Sequence, residues 1–380
     1  MANSSQIGAY FSHLVSALGR TRDVHVVAVA HMVPNTLSFA PALNDLASLS
    51  AILAKPKSVS RPEHRALSSK FKVLSLSREW GDSADKVAQM LVDLGLRDRR
   101  VVLVDIGGYF AKSLDEIAQR FPGKILGLLE GTENGVKRYE ASGPHQTPTV
   151  TVARSPLKLP EDYLVASSIV FSVEAALRGE AEILQTRSAA VVGYGRVGSA
   201  IAEILRNRGI NTVVFDTDPI RLAEAAARGF RACRRLFDAL SCSSLVVCAT
   251  GNKALGLTGF AMLRPGSVVA SATSADDEFD LESLTKGYVK EDLSASLTHY
   301  RESRGVELGR SFYLVAGGNS ANFLHGAVIG PAMQLIEGEK LAAIRAIVDG
   351  RVTNSSTGVA ELSRSDRTLV AEIWNDHFLS

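Results

Sequence analysis

The stretch 189–200 reads AAVVGYGRVGSA, a short apolar run that leads into a glycine turn and the beginning of a helix. Gly193 permits the tight turn, Gly195 lets backbone N–H groups approach a diphosphate, and Gly198 lets the helix pack closely on the strand. A second apolar run, 213–215, ends at Asp216. This order predicts the strand–helix–strand unit of a Rossmann-type dinucleotide-binding domain.

Asp216 predicts which dinucleotide is bound. A carboxylate at this distance from the glycine turn accepts hydrogen bonds from the ribose hydroxyls and repels a 2′-phosphate, so NAD is favoured over NADP. Further apolar runs at 244–251, 267–271 and 311–318 end in small or polar residues. Ligands lie beyond the carboxyl ends of parallel strands. The predicted cofactor-binding residues are therefore Gly193, Gly195, Arg196, Val197, Gly198, Asp216, Thr250, Gly251, Asn252, Ser271 and Asn322.

The composition excludes several classes of partner. The chain has 380 residues, 46% of them hydrophobic, which is enough for a large core and two domains. Its 42 Lys and Arg residues nearly balance its 40 Asp and Glu residues, so no nucleic-acid or membrane partner is expected. Cys233, Cys242 and Cys248 lack the spacing of metal ligands, so no metal site is expected. Without a signal peptide or a long apolar run, a cytoplasmic protein is expected.

Apolar periodicity predicts an α/β fold with two doubly wound domains. The runs 24–30 and 101–105 are typical of buried parallel strands, and the segments 42–53 and 83–96 carry apolar residues at helical spacing. A long apolar helix is expected over 162–184.

These segments predict how the domains divide the chain. Residues 1–162 form a substrate-binding α/β domain, to which 329–350 returns, and residues 163–328 form the Rossmann NAD-binding domain. Residues 351–380 form a C-terminal tail.

The order of the segments resembles the S-adenosylhomocysteine hydrolase family. The motifs that carry the resemblance are His31-Met32, the turn Asp105-Ile106-Gly107-Gly108, the run 127–136 (GLLEGTENGV), the glycine turn, Asp216-Thr217-Asp218-Pro219, Thr250-Gly251-Asn252 and Asn322. The resemblance implies a substrate domain, an NAD domain, and a tightly held NAD that is used and regenerated in every turnover. It also implies a small nucleoside as the substrate and a homo-oligomer as the assembly.

The resemblance also implies catalytic residues. In that family the ribose 3′-hydroxyl is oxidised, the C4′ proton is removed, the 5′ substituent leaves, water adds, and the ketone is reduced. Lys158 and Asp162 fall on the Lys and Asp that handle O3′ and C4′, and His31 falls on the histidine near the 5′ position. The predicted substrate-binding residues are Glu130, Glu133 and Asn134. The alternatives are a core histidine for His31, a surface ion pair for Lys158 and Asp162, and solvated loop acids for Glu130 and Glu133.

The chain also departs from the family's pattern. Acids of the family are replaced by Ile106 and Gly131, a Gly-His-Phe-Asp turn reads 273–276 (TSAD), and a cofactor-contacting Asn is Tyr163. The Lys- and Tyr-rich end that caps a neighbouring subunit's NAD is absent, which argues against the usual tetramer. A positioned general acid or base contributes about 10²–10⁴ in rate, so the ordinary hydrolysis is disfavoured.

Three interpretations follow from this pattern. The first is an NAD-dependent lyase, such as a nucleoside dehydratase that leaves an exocyclic alkene, in the tailoring of nucleoside natural products. The second is a hydrolase of S-adenosylhomocysteine or of a modified-base relative, with Glu133 or His31 replacing the missing acids. The third is a catalytically silent, NAD-binding regulator.

Overall fold

The computed structural model describes residues 4–273, 275–303, 310–353 and 358–379. They form two compact units. The first comprises Met1–Glu161 and Gly330–Ser380, and the second comprises Asp162–Ile329. Among the described residues, no helix combines the length and the apolar character needed to cross a membrane.

The strands and helices are numbered in chain order. The strands are β1 Thr21–Met32, β2 Ala47–Val59, β3 Val73–Ser75, β4 Arg100–Asp105, β5 Lys124–Glu130, β6 Thr149–Thr151, β7 Ala189–Val192, β8 Thr212–Phe215, β9 Arg231–Cys233, β10 Leu245–Cys248, β11 Ser267–Ser271, β12 Tyr288–Asp292, β13 Leu297–Glu302, β14 Ser311–Val315 and β15 Ala360–Glu361. The helices are α1 Ser4–Leu18, α2 Thr36–Leu46, α3 Arg61–Ser68, α4 Arg78–Gly81, α5 Ala84–Asp93, α6 Leu114–Arg120, α7 Glu133–Ala141, α8 Leu159–Gly179, α9 Arg196–Asn207, α10 Pro219–Ala227, α11 Leu236–Ser241, α12 Leu257–Ala261, α13 Ala275–Glu278, α14 Leu281–Leu284, α15 Ala332–Val348 and α16 Arg364–Phe378. Short 3₁₀ segments are Pro156–Lys158, Leu184–Thr186, Ala316–Gly318 and Ala321–His325.

The first unit is built on a parallel sheet in the order β3-β2-β1-β4-β5-β6-β15. Its central strands are apolar on both faces because helices cover both. Residues of α1, α2, α15 and α16 pack on one face, and residues of α5, α6 and α7 pack on the other. This arrangement is the doubly wound fold that the sequence predicts.

The second unit repeats the same plan. Its sheet has the order β9-β8-β7-β10-β11-β14-β13-β12, in which β9 to β14 pair in parallel and the pairs β14-β13 and β13-β12 are antiparallel. Residues of α8, α9 and α10 cover one face, and residues of α11, α12 and α14 cover the other. A Rossmann-type domain is thus confirmed, with an antiparallel hairpin added at one edge.

The strand order places a candidate site in each unit. The order reverses between β1 and β4 in the first sheet and between β7 and β10 in the second. Ligands of open α/β sheets bind beyond the carboxyl ends of the strands at such a reversal. In the first unit these ends carry His31 and Asp105, and in the second they lead to Gly193 and Thr250.

Some predicted boundaries are wrong. The segment 42–53 is not one helix, because α2 ends at Leu46 and β2 begins at Ala47. Leu49, Ile52 and their neighbours are buried on both faces of β2, and a doubly buried strand has no alternation to separate it from a buried helix. The helix expected over 162–184 occupies Leu159–Gly179. Residues that the sequence set apart as a tail include α16, whose Val370 and Ile373 lie in the core of the first unit.

Candidate functional site

The glycine turn after β7 has the geometry of a diphosphate cradle. Gly193 has a φ of +96°, which side chains disfavour. A Cβ on Gly198 would lie 1.9 Å from the Gly193 carbonyl oxygen, so α9 packs directly on the turn. A Cβ on Gly195, which caps α9, would meet no protein atom within 4 Å. The protein leaves this backbone open at a helix N-terminus, and the residues fit a dinucleotide.

Asp216 is fixed against the glycine turn. Its carboxylate accepts hydrogen bonds from the backbone N–H of Tyr194 at 2.6 Å and of Asp218 at 2.8 Å. The backbone therefore orients this side chain before any ligand binds. The carboxylate has further lone pairs that could accept hydrogen bonds from ribose hydroxyls, and this role of Asp216 stays a prediction.

Asp162 lies beside the same turn, within the second unit. Its side chain is 7% exposed, and its Oδ2 is 3.7 Å from Nη1 of Arg196, the first residue of α9. The contact places a guanidinium beside the buried carboxylate. The predicted acceptor of the C4′ proton is thus held close to the cofactor-binding turn.

Glu278 organises the loop after β10, and the sequence analysis missed it. Its buried carboxylate accepts hydrogen bonds from Thr250 N at 3.0 Å, Thr250 Oγ1 at 2.8 Å and Gly251 N at 2.7 Å. Thr273 Oγ1 donates to it at 2.6 Å. The N–H of Asn252 donates to Thr250 Oγ1 at 3.0 Å, so one carboxylate fixes the whole predicted segment. No local pattern in the sequence identifies this acid.

Ser271 and Asn322 lie in neighbouring loops of the second unit. Ser271 Oγ accepts from Thr273 N at 3.0 Å, and Ser271 forms a β-bridge with Ser320. Ser320 Oγ in turn donates to Asn322 Oδ1 at 2.7 Å. Ser274, where the resemblance places a departure from the family, lies outside the described residues.

His31 lies near the end of β1 in the first unit. Its Nδ1 is 2.6 Å from Ser58 Oγ, and Thr36 Oγ1 donates to its carbonyl oxygen at 2.6 Å. Burial, together with the positive charges of Lys55 and Lys340, holds the pKa of His31 well below its usual value. The imidazole is therefore neutral at neutral pH, and it is a weak acid toward an uncharged leaving group.

Lys158 is held by a short local structure in the first unit. It ends the 3₁₀ segment Pro156–Lys158, which Ser155 caps by accepting a hydrogen bond from Leu157 N at 3.0 Å. Its Nζ is 2.8 Å from Glu161 Oε2, and both side chains are largely buried. The motifs of the sequence do not predict Glu161 as its partner.

Glu130 is engaged by the protein itself. Its carboxylate accepts hydrogen bonds from the N–H groups of Gly107 at 3.1 Å, Gly108 at 2.9 Å and Thr132 at 2.6 Å. Burial and the neighbouring Asp105 raise the pKa of Glu130 to about 7. These bonds join the turns after β4 and β5, so we infer a structural role for Glu130 in place of substrate binding.

The remaining predicted substrate residues begin α7. Glu133 is exposed and forms a two-point ion pair with Arg154, both contacts at 3.0 Å. Asn134 is half-buried in the first turn of α7. At the position of the missing acid, a Cβ on Gly131 would lie 3.0 Å from Cγ2 of Ile106. Neutral groups therefore face each other where the resemblance would place carboxylates.

Comparison with known proteins relates the second unit to one family. A family profile described as the S-adenosyl-L-homocysteine hydrolase NAD binding domain matches residues 163–325. Residues 163–325 are thus similar to the NAD-binding domain of the S-adenosylhomocysteine hydrolase family. This match agrees with the geometry of the glycine turn, and the cofactor of this domain is NAD.

Individual relatives are similar in sequence to this chain over part of their length. The adenosylhomocysteinase of Thermosynechococcus vestitus is 26% identical over 69% of this chain and 61% of its own length. The adenosylhomocysteinase of Saccharolobus solfataricus is 30% identical over 52% of this chain and 47% of its own length. The S-inosyl-L-homocysteine hydrolase of Methanopyrus kandleri is 26% identical over 65% of this chain and 58% of its own length. The chain thus matches about half to six tenths of these relatives.

Proposed function

We propose that this chain catalyses a redox-neutral, NAD-dependent elimination at the 5′ position of a ribonucleoside and releases the product without adding water. In its simplest form the reaction is a nucleoside dehydration that leaves an exocyclic alkene. Bound NAD supplies reversible oxidation of the 3′-hydroxyl, which makes the C4′ proton acidic. Tailoring of a nucleoside natural product, the setting that the sequence suggests, is part of this proposal.

Two side chains have proposed roles in proton transfer. Lys158, paired with Glu161, holds the proton exchanged with O3′. Asp162, paired with Arg196, accepts the C4′ proton. We propose that His31 lies near the leaving group at C5′.

The lyase proposal rests on the lack of an available acid at Ile106, Gly131 and Glu130, at the carboxyl ends of β4 and β5. Ile106 and Gly131 offer no acid there, and the carboxylate of Glu130 is occupied by backbone donors. Each missing general acid or base removes about 10²–10⁴ in rate. Activation of water is therefore disfavoured, while the groups assigned to O3′ and C4′ remain.

A hydrolase is the second candidate, because the relatives are named as hydrolases of S-adenosyl- or S-inosyl-homocysteine. It would require Glu133 or His31 to activate water. Glu133 is paired with Arg154, and burial together with the charges of Lys55 and Lys340 lowers the pKa of His31. The ordered pairs at Lys158 and Asp162 argue against the third interpretation, a catalytically silent regulator.

One incubation separates the three functions. Purified, NAD-loaded protein is mixed with adenosine, inosine, their 5′-substituted derivatives and S-adenosylhomocysteine, and the products are identified by mass. The proposal predicts a product that has lost its 5′ substituent and gained no water. Release of homocysteine with formation of a nucleoside would establish the hydrolase, and unchanged substrates would establish a binding protein.

A further inference from the structure

Ser142, His145 and Asp115 form a row of polar contacts in the first unit, apart from the residues of the candidate site. Ser142 Oγ lies 3.0 Å from Nε2 of His145, and Nδ1 of His145 lies 3.4 Å from Oδ2 of Asp115. We propose that Ser142 is a nucleophile that takes an acyl group from a small carboxylic ester, with His145 as its base. This activity is separate from the NAD-dependent reaction and goes beyond the proposed function.

The end of α7 brings the serine and the histidine together. Ser142 is the C-cap of the helix, and Gly143 then turns the chain with a φ of +96°, which glycine adopts without strain. A Cβ on Gly143 would meet no protein atom within 4 Å, and Ser142 is exposed. The turn therefore leaves the serine open to a ligand from solvent, while His145 follows only three residues later.

The imidazole of His145 is held by α6 and α7. Asp115 of α6 accepts hydrogen bonds from the backbone N–H of Gln146 at 3.1 Å and of Thr147 at 2.9 Å, so its carboxylate is fixed beside the histidine. The side chain of His145 is 6% exposed, and its ring packs edge-on against Tyr139 with the ring centres 5.5 Å apart. These contacts fix the orientation of the ring before a ligand binds.

The carboxylate determines which ring nitrogen can act as a base. The negative charge of Asp115 favours the tautomer with a hydrogen on Nδ1, which leaves the lone pair of Nε2 facing Ser142. The hydroxyl hydrogen of Ser142 has two acceptors in reach, Nε2 and the carbonyl oxygen of Tyr139 at 2.9 Å. Rotation toward Nε2 aligns it for transfer. A hydroxyl, a base and a third group that orients the base are the parts that activate a serine.

The reaction needs only the ester and water. Oγ of Ser142 forms a bond to the carbonyl carbon, and the hydroxyl proton passes to Nε2 of His145. The bond between the carbonyl carbon and the alcohol oxygen then breaks, its electrons stay on that oxygen, and the proton on Nε2 is transferred to it. Water attacks the acyl-serine with the same base, which releases the carboxylic acid and restores the serine.

The test is covalent labelling of the purified, NAD-loaded protein with a fluorophosphonate probe, which reacts with activated serines. The labelled residue is identified by peptide mass. We expect label on Ser142 and its loss in Ser142→Ala. Asp115→Asn should lower the labelling rate at least about tenfold, because the base is no longer oriented. Ser69→Ala is the matched control and should label normally, since Ser69 is the exposed C-cap of α3 and its Oγ donates to Ala66 O at 2.8 Å.

A second variant keeps the test independent of the folding of Asp115→Asn. In Ser142→Cys, the thiol beside His145 should react with iodoacetamide at least about tenfold faster than Cys242, the exposed cysteine of the same chain. Hydrolysis of p-nitrophenyl acetate should be lost in Ser142→Ala and kept in Ser69→Ala. Absence of label on Ser142, an unchanged rate in folded Asp115→Asn or equal reactivity of the two thiols would overturn the proposal. None of these measurements depends on the elimination.

Discussion

Asp162 Oδ2 lies 3.7 Å from Nη1 of Arg196, so a carboxylate of α8 is paired with the first residue of the helix that follows the glycine turn. The helix that begins at the glycine turn therefore also contacts the proposed C4′ base.

Arg196→Gln tests the role of this contact. Removal of the guanidinium should slow C4′ proton exchange by about tenfold, because the ion pair that positions the Asp162 carboxylate is lost. The measurement is the rate of deuterium uptake into substrate by the NAD-loaded protein. Arg221→Gln, which removes the exposed pair with Glu224 on α10, should leave the rate unchanged. An unchanged rate in Arg196→Gln would show that the pair does not position the carboxylate.

Asp216 should determine the cofactor. The purified protein should release NAD, not NADP, when it is denatured and its nucleotide is chromatographed. Asp216→Ala should lower the NAD content, because it removes ribose hydrogen bonds and the acceptor for Tyr194 N. Asp218→Ala is the control, since Asp218 caps α10 by accepting from Ile220 N at 2.8 Å. Recovery of mainly NADP would refute the assignment.

The imidazole of His31 should titrate well below the usual range, and each lysine should contribute. Lys340→Met and Lys55→Met should both raise the pKa of His31, because each removes a positive charge that opposes protonation. The measurement is the pH dependence of the His31 Cε1–H resonance by NMR. If the protein stays folded and neither variant shifts the pKa of His31, burial alone lowers that pKa and the lysine charges do not contribute.

Glu337 should make stability depend on pH. Its pKa is raised from about 4.5 to about 8, mainly by burial, so its contribution is complete below about pH 4.5 and is lost as the pH rises to about 8. Relative to Glu337→Gln, the unmodified protein should therefore lose about 3 kcal/mol in free energy of unfolding between pH 5.5 and 8.5. Denaturant titrations at both pH values measure this difference. Glu372→Gln, at an exposed position of α16, should show no such trend. If the difference in free energy of unfolding between the unmodified protein and Glu337→Gln were the same at both pH values, Glu337 would already be ionised at low pH.

The sequence predicts features that depend on neighbouring residues. The tight turn at Gly193, the open backbone at Gly195 and the close packing at Gly198 all arise within six residues. The spacing of the glycines alone therefore predicts the turn and its cofactor. The boundary between α2 and β2 at Leu46 and Ala47 is not readable, because burial on both faces removes the periodic signal.

The polar environment of the site depends on contacts distant in sequence. Lys340 comes from α15 and Lys55 from β2, yet both act on His31 at the end of β1. Glu278 likewise holds Thr250 and Gly251 from the end of α13. Glu130 carries the motif of a substrate ligand, but its oxygens are engaged by backbone donors that only the folded turns bring together. Charge and hydrogen bonding at the site therefore follow from the topology and not from local motifs.

The central claim, a reversible oxidation that acidifies C4′, is tested most directly by deuterium exchange. NAD-loaded protein is incubated in heavy water with the nucleoside or nucleotide that it binds, and C4′ deuterium and the accumulation of reduced nicotinamide are followed together. The account predicts deuterium at C4′ in recovered substrate, loss of the 5′ substituent and no steady accumulation of reduced nicotinamide. Lys158→Ala should abolish the exchange, whereas His31→Ala should keep it, because His31 is assigned to the leaving group and not to O3′ or C4′. Accumulation of reduced nicotinamide in step with an oxidised product, without deuterium at C4′, would contradict the account and show a simple dehydrogenase.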